Sequence, residues 1–377
     1  MTKPKKKKVA ARIISLVLIL LVITALALML FVGGELSVDG ARKALSSFKK
    51  REAASEFFFE QGVDRVFASV GDSIVAAGDV GLQVIGVDGE VLHRDIVRLG
   101  TPAIARSGGI AAVYDIGGTS LRIVDKDGAL AKLESETPIV SCSVGAGGYV
   151  ALVTDEGGGY ISGVKVFGGR NYSGKYRWRT ADGYVIAAAV SNDNKSVAIL
   201  TAQNGGSIIH FFSLDSETER AQCVFDGELL LDIAYGGDGN VVAIGRSGVY
   251  TVNSRSANRS VVYDYAGSVL GGFSLGGDGY VPLLLRDGKA ARLVTVDLGA
   301  TNGAVLADIP AEGDLLWLDA YGDRIAVLWE ARLVGYDKRL AERGTRENAL
   351  GLSSVLLRRN GKALAIGAHN ASVFEID

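Results

Sequence analysis

A tight turn of glycine, aspartate or asparagine followed at once by a short apolar strand occurs eight times along this chain. The units read GDSIVAA from Gly71, SGGIAAVY from Ser107, GGYVALVT from Gly147 and NKSVAILT from Asn194. They continue as DGNVVAIG from Asp238, DGYVPLLL from Asp278, GDRIAVLW from Gly322 and NGKALAIG from Asn360. The interval is about forty residues, a period that belongs to repeat architectures, in which one unit cannot bury its apolar face alone and stacked neighbours can.

Each turn is flanked by further strands. In the first unit residues 63–70 lead into the turn, 73–77 form the apolar strand and 82–87 the next, and Asp88-Gly89 is a hairpin signal into 90–97. Third strands recur as LRIVDKDG from Leu121, IIHFFSLD from Ile208, RLVTVDLG from Arg292, RLVGYDK from Arg332 and ASVFEID from Ala371. The strand after each turn is apolar throughout, as expected when both faces are covered. Residues 129–135 and 175–180 alternate instead, as suits an outer strand with one wet face. Four antiparallel strands per unit make the blade of a β-propeller. The expectation is an all-β, eight-bladed β-propeller, with a seven-bladed ring as the alternative. Fifty glycines against five prolines suit many tight turns. Pro282 falls inside an apolar strand, where it removes a ladder donor, so a bulge or a late strand start is expected there. The eighth unit has only three strands by Asp377, and residues 56–61 (EFFFEQ) have no other partner. They are expected to complete that blade and cover its edge.

Ahead of the repeats lies a different segment. Residues 13–32, from Ile13 to Val32, are a run of twenty without a charge, long enough at about 1.5 Å per residue to cross a bilayer. A cleavable signal peptide has a shorter apolar region, of about 7–15 residues. The run therefore reads as an uncleaved transmembrane helix. Lys3, Lys5, Lys6, Lys7, Lys8 and Arg12 precede it and place the N-terminus in the cytoplasm. The expected organisation is a basic cytoplasmic tail (1–12), the helix (13–32), a juxtamembrane stalk (33–54) and an extracytoplasmic propeller (55–377). Without its tail the chain has 34 basic against 42 acidic residues, a charge of −8. That balance argues against a nucleic-acid partner.

No residue pattern in the body carries chemistry. Cys142 and Cys223 fall on an inner strand of one unit and the outer strand of the next, so no disulfide is expected, since bridging needs Cα atoms within about 7 Å. Asp125-Lys126-Asp127-Gly128 opens like a calcium loop but lacks the later ligands and reads as a hairpin turn. Gly145-Ala146-Gly147-Gly148 has no helix after it and is no phosphate loop. His93, His210 and His369 are scattered, with no nucleophile at motif spacing, and His210 reads as a packed strand residue. In the Tyr172–Arg179 stretch (YSGKYRWR), Tyr176 and Trp178 alternate with cations. It reads as an outer strand, with a contact surface anchored on Trp178 as the other possibility. Trp178, Trp317 and Trp329 are not periodic, and the GH…WD pattern is absent, which sets aside quinone-binding and typical WD40 blades. No catalytic, metal or cofactor residue is assigned, and no cofactor is expected.

The turn Asn192-Asp193-Asn194-Lys195 approximates the S-P-D-G-K turn of bacterial propellers, and Arg359-Asn360-Gly361-Lys362 is a second version. Together with the basic N-terminus, single anchor and stalk, these turns resemble an uncharacterised family of membrane-anchored propellers from Clostridia-type Gram-positive bacteria. The likeness covers essentially the whole chain and is strongest from YSGKYRWRTADGYVIAAAVSNDNKSVAILT onward. It implies lineage and topology and assigns no residue. The functional expectation is a non-catalytic module in the cell membrane that binds a protein or envelope polymer. The alternative is a propeller-type hydrolase or lyase with its site at the central channel. The first predicts an exposed apolar or aromatic patch on one face; the second predicts converging ionisable groups with shifted pKa values.

Overall fold

A computed structural model describes residues 54–59, 65–299, 305–359 and 361–376. The tail, membrane helix and stalk expected ahead of the propeller lie, but for Ala54, outside the described residues. Among the described residues no helix is long and apolar enough to cross a membrane. The described residues form thirty-two strands, numbered in chain order, in eight four-stranded antiparallel sheets. The protein is therefore an eight-bladed propeller.

Each blade opens with an innermost strand. These are β2 (Val66–Val70), β6 (Pro102–Ser107), β10 (Ile139–Val144), β14 (Tyr184–Val190), β18 (Leu230–Tyr235), β22 (Val269–Phe273), β26 (Leu315–Tyr321) and β30 (Leu352–Leu357). Neighbouring innermost strands touch one another, including β2 with β6, β10 with β14, β26 with β30 and, across the seam, β2 with β30. The ring is closed by β1 (Glu56–Phe58), which pairs antiparallel with β32 (Asn370–Glu375) as the outer strand of blade 8. The expected closing strand is thus present, with Phe57 opposite Ala371 and wholly buried.

The core is a ring of wedges rather than one mass. Eight buried apolar clusters are found, one at each interface between adjacent blades. This is why the second strand of each blade is apolar throughout: β3 (Ser73–Gly78) and β19 (Val241–Gly245) are buried at every residue, facing a neighbour on either side. Burying each Val, Leu or Ile there is worth about 1.5–3 kcal/mol. Outer strands alternate as expected; in β13 (Ser173–Thr180) Tyr176 is buried between the exposed Lys175 and Arg177.

Pro282 departs from expectation. It lies within β23 (Tyr280–Asp287), opposite Thr295 of β24 (Ala290–Asp297), with no bulge and no late start. Its carbonyl accepts a bond from Ser274 on the side of β22, so its donorless nitrogen points the same way. Pairing with β22 already ends at Phe273–Leu283, and a ladder donor is not needed there.

Antiparallel connectivity gives the ring two faces. Turns between first and second strands define one, the turn face. On it Asn194, held at φ 58°, donates from Nδ2 to the Gly147 carbonyl of blade 3 (2.9 Å), and Asn192 donates to Gly236 of blade 5 (3.0 Å). The recurring turns thus stitch one blade to the next. Loops joining consecutive blades, and the starts of the innermost strands, define the opposite loop face. The chain enters the domain on the turn face, where the Ala54 amide binds the Val87 carbonyl.

Glycine at the start of a third strand has a packing role. A Cβ on Gly206, first residue of β16 (Gly206–Ser213), would stand 2.0 Å from the backbone oxygen of Phe225. Gly206→Ala should therefore force the fourth strand outward and cost about 2–3 kcal/mol. An unchanged denaturation midpoint would show that this edge yields freely.

Candidate functional site

On the loop face the innermost strands carry a repeated irregularity. In blades 3 to 8 the pairing between first and second strands slips by one residue, leaving Val140, Ile186, Leu231, Gly271, Leu316 and Ser353 as extra residues. A bulge breaks the alternation of side chains and re-aims them. In blades 3, 5 and 7 the extra residue is itself an exposed apolar one, Val140, Leu231 or Leu316; in blades 4 and 6 the exposed apolar side chain is the first residue of the strand, Tyr184 or Val269, two residues before the bulge. Val140, Tyr184, Leu231, Val269, Leu316 and Trp317 lie in the opening residues of the innermost strands of five successive blades. They range from 39% exposed at Leu231 to 67% at Tyr184 and Val269. Isolated exposed apolar residues need no explanation, but a set in the opening residues of successive innermost strands marks an interaction surface.

Deeper in the channel, toward the turn face, the lining is polar. Arg106 of blade 2 holds Asp319 of blade 7 through Nη2, at 3.0 and 2.8 Å from the two carboxylate oxygens. Its Nη1 donates to Ser69 Oγ of blade 1 (3.1 Å), which donates to the Leu357 carbonyl of blade 8 (2.6 Å). The Leu357 amide binds Asp319 in return (2.8 Å). This network ties four blades together across the closure seam. Burial lifts the Asp319 carboxyl above the usual carboxylate range, with Arg106 and the Leu357 amide opposing it.

A second set of ionisable groups lies on the innermost and second strands. Burial and the neighbouring Cys142 push the Tyr114 phenol up to about 12, with Asp232 adding to the rise. Burial raises the Cys142 thiol and the Asp232 carboxyl as well, the latter opposed by the Ile233 amide (2.8 Å). Every shift favours the neutral form, whereas an activated nucleophile needs a lowered pKa or an adjacent base. Because the folded pKa of Asp232 is raised, its contribution to stability is full below the unfolded carboxylate value. That contribution is lost as the pH rises through the folded value. Asp232→Asn should therefore raise the melting temperature at pH 7 and leave it nearly unchanged below the carboxylate range. A gain of equal size at both pH values would exclude titration as its cause.

The residues singled out from sequence are not brought together. Asp125 accepts from the amides of Asp127 and Gly128 (2.9 and 3.0 Å), closing the hairpin turn. The Gly145–Gly148 run turns β10 into the next strand, its Gly145 amide bonded to the Tyr149 carbonyl (2.8 Å). His93 packs beside Gly128, and His369 lies in the second-to-third strand turn of blade 8. Cys142 and Cys223 are free thiols on the innermost strand of blade 3 and the outer strand of blade 4. Trp178 is no exposed anchor; its ring lies 5.5 Å from His210 and 5.6 Å from Phe212 of the next blade.

One arrangement has the outline of a hydroxyl–imidazole–carboxylate triad. Thr201 Oγ1 is 3.0 Å from His210 Nε2, and His210 Nδ1 is 2.8 Å from Glu219. Thr201 is wholly buried between blades, out of reach of any substrate, so the line serves packing: it satisfies a polar group inside an apolar wedge. No group of three or more His, Cys, Asp or Glu side chains among the described residues is placed to hold a metal.

Sequence reasoning missed the mouth residues, although a trace was present. The stretches LLLDIAY from Leu229 and LLWLDAY from Leu315 are apolar at both odd and even positions where a half-buried strand should alternate.

Fold and site together define a β-propeller with an apolar-lined channel mouth. The chain belongs to a family of unknown function, DUF5711, whose model matches residues 44–347. No curated protein matches it. Among solved structures it is similar to Saccharomyces cerevisiae Sqt1 (TM-score 0.60, 12% identity), over 86% of this chain and 100% of that one. It is also similar to the C-terminal WD40 domain of Sif2 (TM-score 0.57, 12% identity, 87% and 96% covered). BamB from Moraxella catarrhalis is a third (TM-score 0.56, 13% identity, 86% and 99% covered). At these identities the likeness is one of fold.

Proposed function

We propose that this protein is a non-catalytic binding or scaffolding module that takes a partner at the apolar mouth on its loop face. The observation that carries the reading is the row of exposed apolar residues in the opening residues of the innermost strands of five successive blades. Rigid walls support it, since each bulged strand is backed by a second strand whose middle residues are buried, and a preformed surface loses little freedom on binding. The site is anchored in a cell envelope by residues 13–32, with the tail in the cytoplasm and the propeller outside. The twenty-residue apolar run and its basic flank support that part.

A photo-reactive phenylalanine analogue at position 317, on the loop face, should capture one specific partner in cells. The same group at position 238, on the turn face, should not. Equal capture from both faces, or none from 317, would remove the support for this surface. A C-terminal alkaline-phosphatase fusion, active only outside the cytoplasm, tests the orientation; an inactive fusion contradicts it.

A further inference from the structure

The loops around the mouth carry a charge pattern that selects among partners. The five loops leading into blades 3 to 7 span residues 135–138, 181–183, 227–229, 265–268 and 311–314. They contain Glu136, Asp182, Glu228, Glu312 and Asp314 and no lysine or arginine. Strand cations partly neutralise this rim: Lys165 and Arg177 reach Glu136, and Arg332 reaches Glu312. Asp314 is 79% exposed, its nearest cation being Arg286 at 3.6 Å. Asp182 and Glu228 have no cation within salt-bridge distance among the described residues, and Glu228 is bonded to the Ser247 amide (2.9 Å). Four of the five blades that carry the apolar arc, blades 3, 4, 5 and 7, also carry these carboxylates, in the loops that lead directly into the exposed apolar residues.

From this juxtaposition we infer that the mouth binds a basic amphipathic protein segment, with leucine-like or aromatic side chains entering the arc and lysine or arginine meeting the carboxylate rim. This rests on the binding reading above and names the partner's chemistry. Tyr184 and Trp317 suit such a segment twice over, as broad apolar anchors and as faces for a cation. An anionic lipid surface or a phosphate-bearing polymer would meet the carboxylates as like charges, and such contacts suppress wrong partners. An uncharged apolar segment would fill the arc but gain nothing from the rim.

The test uses the full-length chain in nanodiscs of neutral phosphatidylcholine, free of competing detergent and read against empty nanodiscs. The probe is a fluorescent peptide of leucine and lysine at helical spacing, beside its leucine–glutamate counterpart and phosphatidylglycerol vesicles. The leucine–lysine peptide should bind about tenfold or more tightly than the acidic one and weaken as salt rises. Leu231→Ser and Trp317→Ser should each lower its affinity about tenfold without moving the melting curve. Should either variant unfold, the fully surface-borne pair Asp182→Lys and Asp314→Lys still decides the matter, by flattening the salt dependence and narrowing the preference between peptides. Equal affinity for both peptides, binding of neither, or tighter binding of the anionic vesicles overturns the inference. Crosslinking from position 317 separates the two levels: if it persists while the peptide preference is absent, the binding surface stands and the basic partner falls. Its loss along with peptide binding removes both.

Discussion

Deleting residues 55–61 should lower the melting temperature by roughly 10 °C or more and make the protein prone to aggregate. Phe57 is wholly buried and Phe59 nearly so, both in the wedge between blades 8 and 1. Truncating a buried Phe costs about 3–5 kcal/mol, and for a domain above about 150 residues each kcal/mol moves the midpoint by roughly 2 °C. The deletion also removes the pairing of β1 with β32, including the bond from the Val373 amide to the Ser55 carbonyl (3.0 Å). That leaves β32 as a bare edge, with its row of unpaired backbone groups open to other chains. Phe57→Ala separates the two effects: it empties the wedge but keeps the ladder, so it should lose about 3–5 kcal/mol without aggregating. A melting curve unchanged by the deletion would mean that the ring holds without its closing strand.

The closing strand was legible from the sequence because the blade count leaves one strand missing and EFFFEQ is the apolar segment left over. The second strands were legible for a similar reason: burial on both faces imposes a continuous apolar run whatever the neighbours are. The mouth was not. A β-bulge adds one residue without a distinctive composition, and Val140, Leu231 and Leu316 look like ordinary core residues until pairing shows that they have slipped out of register. The partnership of Arg106 with Asp319 was equally hidden. The two are 213 residues apart in sequence, and only closure of the ring brings blade 7 within reach of blade 2. Pro282 failed in the opposite direction, since composition flagged it as a defect. Its consequence depended on which side its nitrogen faced and where the neighbouring strand stopped.

Removing one partner of the Arg106–Asp319 pair should cost more than any substitution at the mouth. Asp319→Ala leaves the guanidinium of Arg106 without its carboxylate, and breaking a buried pair from one side costs about 3–5 kcal/mol. The lower end applies, because the Arg106 side chain keeps 22% of its exposure and water screens part of the loss. Replacing both partners with apolar groups, Arg106→Met with Asp319→Leu, removes the unpaired charge. Burial already lifts the Asp319 carboxyl, so the ionised pair works against desolvation, and the double variant should recover most of the stability lost by the single one. Recovery should stop short by about 1–2 kcal/mol, since the Leu357 amide loses its acceptor in both variants. The network bridges the seam, so hydrogen exchange should quicken in β30 and β32 of Asp319→Ala, while the amides of β14 and β18 on the far side of the ring keep their protection. Uniform loss of protection around the ring would instead make the pair a generic contributor to stability and not a clasp on the seam.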